Sequence, residues 1–133
     1  MKRIIWFLIA ACLLCACRGE SLKEDFSNYE DIRVVYRGNT VFRYNPLTCQ
    51  TGFNRERCEF RLCTDNMSDF VSLKLDAIPA ERGQRLSGDV SWTTRDNVSR
   101  KKNVSFEVIR SEADRFWLWS SSARLGAVVR ILD

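Results

Sequence analysis

From residue 32 onward, apolar side chains recur at every second position in short runs separated by turn residues. Nowhere do they hold the i, i+3, i+4, i+7 spacing for the length of a helix. Ile32, Val34 and Tyr36 alternate with Arg33, Val35 and Arg37, and Gly38-Asn39 predicts a turn into Val41-Phe42-Arg43-Tyr44, so these runs form a hairpin. Cys58, Phe60 and Leu62 alternate with Glu59, Arg61 and Cys63, which describes a half-buried strand with a charged outer face. Val71, Leu73 and Leu75 form the next strand, ended by Ile78-Pro79, because proline cannot donate to a central ladder. Val90 and Trp92, then Val104, Phe106 and Val108, then Phe116 to Trp119 and Ala127 to Leu132, complete the series. In this reading 50–57 and 94–103 are loops. The pattern predicts about eight short strands joined mostly as antiparallel hairpins. The expected fold is all-β: a single compact antiparallel β-sandwich or small barrel over residues 31–133.

The N-terminus follows a different rule. Lys2 and Arg3 precede an unbroken apolar run from Ile4 to Ala16, the charge and length of a secretory signal peptide. The run falls short of the ~18 to 20 apolar residues that a spanning helix needs. Leu14-Cys15-Ala16-Cys17 resembles a bacterial lipobox, with an apolar residue at −3, a small residue at −1 and then the cysteine. The lipoproteins that carry this motif are cleaved before the cysteine and acylated on it, and two or more chains together give stable anchoring. The resemblance implies a signal peptide at 1–16 and lipidation of Cys17, hence a membrane partner. Cys12 fits the box less well, since it leaves a shorter apolar core, and Cys15 has the bulky Leu14 at −1. An ordinary secreted protein cut after Ala16 is the competing expectation.

Residues 17–30 are polar and acidic with isolated aromatics, and they read as a flexible tether between lipid and fold. Within it, Lys23-Glu24-Asp25 is similar to the lysine-plus-two-acids signal that sends Bacteroidetes lipoproteins to the cell surface. This favours surface exposure at the outer membrane slightly over residence on its periplasmic face.

Charge and composition narrow the chemistry. Lys and Arg number 21 against 17 Asp and Glu, a net charge of +4 that is too scattered to argue for nucleic acid. Histidine is absent, which removes the usual general base and the commonest zinc ligand. No carboxylate pair, glycine-rich phosphate loop, nucleophile elbow or metal box is legible. A non-enzymatic protein without cofactor or metal is the expectation.

Three groups of residues still stand out. Cys49, Cys58 and Cys63 accompany Cys17 in the mature chain, so at most one internal bridge can form, Cys49 with Cys58 or with Cys63. Trp117 and Trp119 share one face of a strand that is apolar on both sides. With Trp92 they are either core residues or an exposed platform on which a sugar ring or a partner protein stacks. Arg95, Arg100, Lys101 and Lys102 form a basic run assigned to the 94–103 loop, either simply solvated or in contact with an anion such as lipopolysaccharide phosphate.

The stretches Cys58 to Phe70, Ser91-Trp92-Thr93-Thr94, Trp117-Leu118-Trp119-Ser120 and Val128 to Leu132 resemble a group of small Bacteroidetes lipoproteins. That resemblance implies a location and brings no activity or catalytic residue. The expected function is a non-enzymatic envelope lipoprotein presenting a β domain to a protein or glycan partner. The alternative is a periplasmic inhibitor of a wall-degrading enzyme such as lysozyme.

Overall fold

The computed structural model describes residues 21–95 and 97–132. Among these residues it is all-β apart from one short helix, α1 (residues 21–27). The strands are β1 (Arg33–Tyr36), β2 (Asn39–Arg43), β3 (Cys49–Asn54), β4 (Glu59–Thr64), β5 (Phe70–Leu75), β6 (Arg85–Thr94), β7 (Asn97–Glu112), β8 (Arg115–Ser120) and β9 (Leu125–Arg130). They form one antiparallel sheet in the order β2-β1-β9-β8-β7-β6-β5-β4-β3. This is a meander from β3 to β9, with the β1–β2 hairpin laid against β9.

Chain length forces this sheet to curl. A flat sheet of nine strands would hold its edges roughly 38 Å apart. The chain passes from β2 at one edge to β3 at the other through residues 44–48, a reach of at most ~21 Å. The outcome is a half-barrel. Because nine is odd and every neighbour is antiparallel, the two edges run in the same direction, and no ladder joins β2 to β3. The alternation also sorts the connections: the β1–β2, β4–β5, β6–β7 and β8–β9 turns gather at one end, called here the upper end.

Period two then builds two cores. The concave face collects Phe60, Leu62, Val71, Leu73, Val90, Trp92, Phe106, Val108, Phe116 and Leu118 in one buried cluster. The convex face of β1, β7, β8 and β9 carries Val35, Trp117, Trp119 and Val128, which α1 covers with Phe26, flanked by Leu22 and Tyr29. Phe26 is 1% exposed, and full burial of such a ring is worth about 1.5–3 kcal/mol. Its seat exists because position 126 is glycine: a Cβ there would stand 2.6 Å from the Phe26 ring. At the lower end the Trp117 Nε1–H donates to the Tyr29 carbonyl (2.8 Å), and Arg110 donates to the Ser27 carbonyl (2.9 Å) and the Glu30 carboxylate (3.0 Å).

Several expectations are corrected. Residues 21–30 are not a free tether: Leu22, Phe26 and Tyr29, at i, i+4 and i+7, form an apolar stripe seated on the convex face. Residues 50–54, read as loop, belong to edge strand β3, and 97–103, also read as loop, belong to β7. The first hairpin turns at Arg37-Gly38, one residue earlier than expected, with φ of 51° and 85°. The thiols of Cys49, Cys58 and Cys63 are all free. Cys49 pairs with Thr64 at one end of the β3–β4 hairpin, whereas Cys58 lies in the turn at the other, roughly 17 Å away at ~3.4 Å per residue, beyond a disulfide's reach. Cys63 stands opposite Gln50 and so faces away from Cys49.

Candidate functional site

At the upper end, sequence-local rules put three cations around one hollow. The β1–β2 turn needs positive φ at both central positions, and Arg37 occupies the first of them. In the β8–β9 turn Arg124 is likewise left-handed, with φ 52°. The Arg37 N–H donates to the Arg124 carbonyl at 2.8 Å, which locks the two turns together. A left-handed non-glycine residue costs roughly 1–2 kcal/mol, so both arginines are held by their surroundings and not by preference.

The third cation arrives through a β-bulge. The β6–β7 register shifts between Gly88 and Val90, and Asn103, with φ 54°, is the odd residue; its N–H is taken by the Asp89 carboxylate at 2.9 Å. Counting back from buried Val104 by strict alternation would turn Lys102 inward. The extra residue turns Lys101 inward instead, opposite Val90, and leaves Arg100 and Lys102 exposed. Lys101 Nζ then lies 5.1 Å from the Tyr36 ring centre, and the Arg37 guanidinium also lies 5.1 Å from it. Tyr36 packs on Trp92 with centroids 5.4 Å apart.

These side chains, with Ser122 and Ala123, line a hollow of about 600 Å³. A second hollow of about 330 Å³ adjoins it and shares Lys101, Ser122 and Ala123, adding Arg100 and Lys102. No Asp or Glu lines either hollow. Among the described residues Arg37, Lys101 and Arg124 have no carboxylate partner, and the nearby Asp89 is engaged by the Asn103 N–H. Uncompensated cations around a concave surface concentrate positive potential there and attract anions.

Two further hollows lie on the sheet's surfaces. Along the β3 edge an open groove of about 560 Å³ is lined by Gln50, Gly52, Asn54, Arg61, Met67 and Phe70 among others. Glu59 sits in its floor, its carboxyl lowered by the hydrogen bond from Arg61 (2.8 Å), with Ser72 donating to the same oxygen at 3.1 Å. The other hollow, about 510 Å³, lies beside α1 and includes Arg85, Ser105, Glu107 and the edge of Trp119.

The sequence-predicted residues fall as follows. Cys17 lies outside the described residues. Trp92, Trp117 and Trp119 are 1%, 0% and 3% exposed, so no ring face is open to a ligand, and the aromatic platform is corrected to core packing. Trp117 and Trp119 lie under α1, while Trp92 lies in the concave core, where its Nε1–H has no acceptor among the described residues. Of the basic run, Arg95 sits at the β6–β7 turn and Arg100, Lys101 and Lys102 lie on β7, so the cluster is a strand feature and not a loop. Only Lys101 joins the main hollow. Arg37 and Arg124 escaped sequence reading because they lie 87 residues apart and 64 and 23 residues from Lys101, although Gly38 after Arg37 is a local mark of a left-handed turn.

Among the described residues no group of three or more His, Cys, Asp or Glu is placed to hold a metal ion. No helix among them is long and apolar enough to cross a membrane. No family model, curated protein or solved structure matches this chain.

Proposed function

We propose that the chain is a non-enzymatic lipoprotein of a bacterial cell envelope, anchored through acylated Cys17 and presenting its half-barrel to a protein partner. The observation that carries this reading is the relation of the lipobox to α1. Phe26, nine residues after Cys17, lies on a helix and is seated in the convex core. A lipid on Cys17 therefore holds the whole barrel close to the membrane surface, since five residues to Leu22 reach at most ~17 Å. The lipid chains supply what one signal alone cannot, at ~0.8 kcal/mol per buried methylene.

A protein partner fits better than a glycan. The three tryptophans are buried, so stacking on a sugar has no exposed indole to use. Among the described residues both sheet edges lack an outer ladder, and the β3 edge lies beside the groove lined by Gln50, Asn54 and Arg61. An extended peptide segment pairs with such an edge through its main chain and fits side chains into the adjoining groove. The lipoprotein reading is tested by growing cells expressing the wild type and Cys17→Ala with a labelled palmitate and fractionating them. Label and membrane fractionation lost together in Cys17→Ala support it; a variant still labelled and membrane-bound refutes the assignment to Cys17.

A further inference from the structure

We propose that the upper end of the half-barrel is a membrane-facing surface in which Arg37, Lys101 and Arg124 bind the phosphates of anionic phospholipid headgroups. The proposal rests on the lipoprotein reading, because that reading puts a membrane within reach. Three independent features of the structure converge on this end.

The first is chain direction. Leu22, at the start of α1, lies against the β1–β2 turn, where a Cβ on Gly38 would come within 2.8 Å of its side chain. Tyr29, just beyond the other end of the helix, meets Trp117 and Arg110 at the lower end. The described chain therefore begins at the upper end, with Leu22 only five residues beyond Cys17. The second is charge: Arg37, Lys101 and Arg124 ring one hollow with no carboxylate in its lining, and Arg100 and Lys102 extend it. Asp65 and Asp69 belong to the β4–β5 turn on the far side of β6, and the nearby Asp89 accepts the Asn103 N–H. The third is exposed apolar surface. Val98, beside the β6–β7 turn, and Met67, in the β4–β5 turn, are 70% and 61% exposed. Leu47 is 87% exposed and precedes Thr48, whose carbonyl accepts the Asp65 N–H.

Cations at the same end of the sheet as protruding apolar side chains match the membrane interface, where phosphates lie outside and acyl chains beneath. Each cation near an anionic leaflet strengthens attachment about fivefold. The lipid holds the protein at the membrane, and these contacts orient it, directing the lower end away from the bilayer surface.

The test uses the mature protein purified from its membrane and placed in nanodiscs of phosphatidylcholine, alone or mixed with phosphatidylglycerol, followed by amide hydrogen exchange. The expected result is several-fold slower exchange in the β1–β2, β6–β7 and β8–β9 turns with phosphatidylglycerol, and no change in the β7–β8 turn at the lower end. Lys101→Gln combined with Arg124→Gln should abolish the difference, with exchange in β8 reporting that the variant is folded. Exchange that ignores phosphatidylglycerol in the wild type overturns the proposal, as does equal slowing at both ends. Equal slowing by inorganic phosphate on phosphatidylcholine discs also overturns it and assigns the hollow to a soluble phosphate ligand. Retention on the discs reports the anchor separately: a protein that elutes free refutes acylation and this proposal with it, whereas a retained protein without the lipid effect refutes this proposal alone.

Discussion

The Phe26 ring stacks on the Trp119 indole with centroids 5.6 Å apart and planes inclined by 29°, joining a helix near the N-terminus to a strand almost a hundred residues later. This contact makes residues 21–29, read from the sequence as a tether, part of the domain. Phe26→Ala should destabilise the protein by about 3–5 kcal/mol, the usual cost of deleting a buried ring. Thermal unfolding measures the loss, and the tryptophan emission of the folded variant should shift to the red as Trp117 and Trp119 meet water.

Gly126 should prove to be part of the same contact. A methyl at this position would press on the Phe26 ring at 2.6 Å, so Gly126→Ala should cost about 1–3 kcal/mol through overpacking. In a Phe26→Ala background most of that cost should vanish. Chemical denaturation of the four proteins in the cycle checks this, and additive effects would contradict the packing account.

Two buried indoles make a paired comparison. Trp117 donates to the Tyr29 carbonyl at 2.8 Å, whereas Trp92 Nε1–H has no acceptor among the described residues. Replacement by Phe removes similar volume at both positions. Trp117→Phe should therefore be the more destabilising by about 0.5–1.5 kcal/mol, because it removes a hydrogen bond and leaves the Tyr29 carbonyl only the longer Arg110 contact (3.5 Å), while Trp92→Phe removes a desolvated donor.

Acid should loosen the β1–β2 hairpin. Burial tends to raise the Asp31 carboxyl, but hydrogen bonds from Arg33 (2.7 Å) and Arg43 (2.5 Å) outweigh it, and the net result lies below the ordinary 3.8. A lowered folded value means that the stabilisation is complete above the unfolded-chain value and is lost as pH falls from there through the folded one. Unfolding midpoints measured from pH 5 downward should fall less steeply in Asp31→Asn than in the wild type, and parallel curves would contradict this assignment.

Much of the sheet was legible because period-two alternation is a local signal. Val71, Leu73 and Leu75, or Val104, Phe106 and Val108, declare their inward face without knowledge of their neighbours. β3 was not legible: Cys49, Thr51 and Phe53 alternate inward, but Gly52 and polar residues dilute the signal of an edge strand. The face shared by Trp117 and Trp119 could be read from their spacing, whereas their cover is a helix remote in sequence. That helix was visible only as Leu22, Phe26 and Tyr29 at helical spacing inside a polar stretch. The cationic hollow was hidden for a different reason: the bulge at Asn103 changes which of two adjacent lysines turns inward, and the Arg37–Arg124 bond joins turns that only the sheet order brings together.

If the proposed lipoprotein reading holds, the mature chain begins at an acylated Cys17, and mass spectrometry of the N-terminal peptide from protein purified out of its native membrane tests this directly. The expected peptide begins at Cys17 and carries a diacylglycerol on the thiol. A peptide that retains residues 1–16, or one that begins at Cys17 with an unmodified thiol, would contradict it.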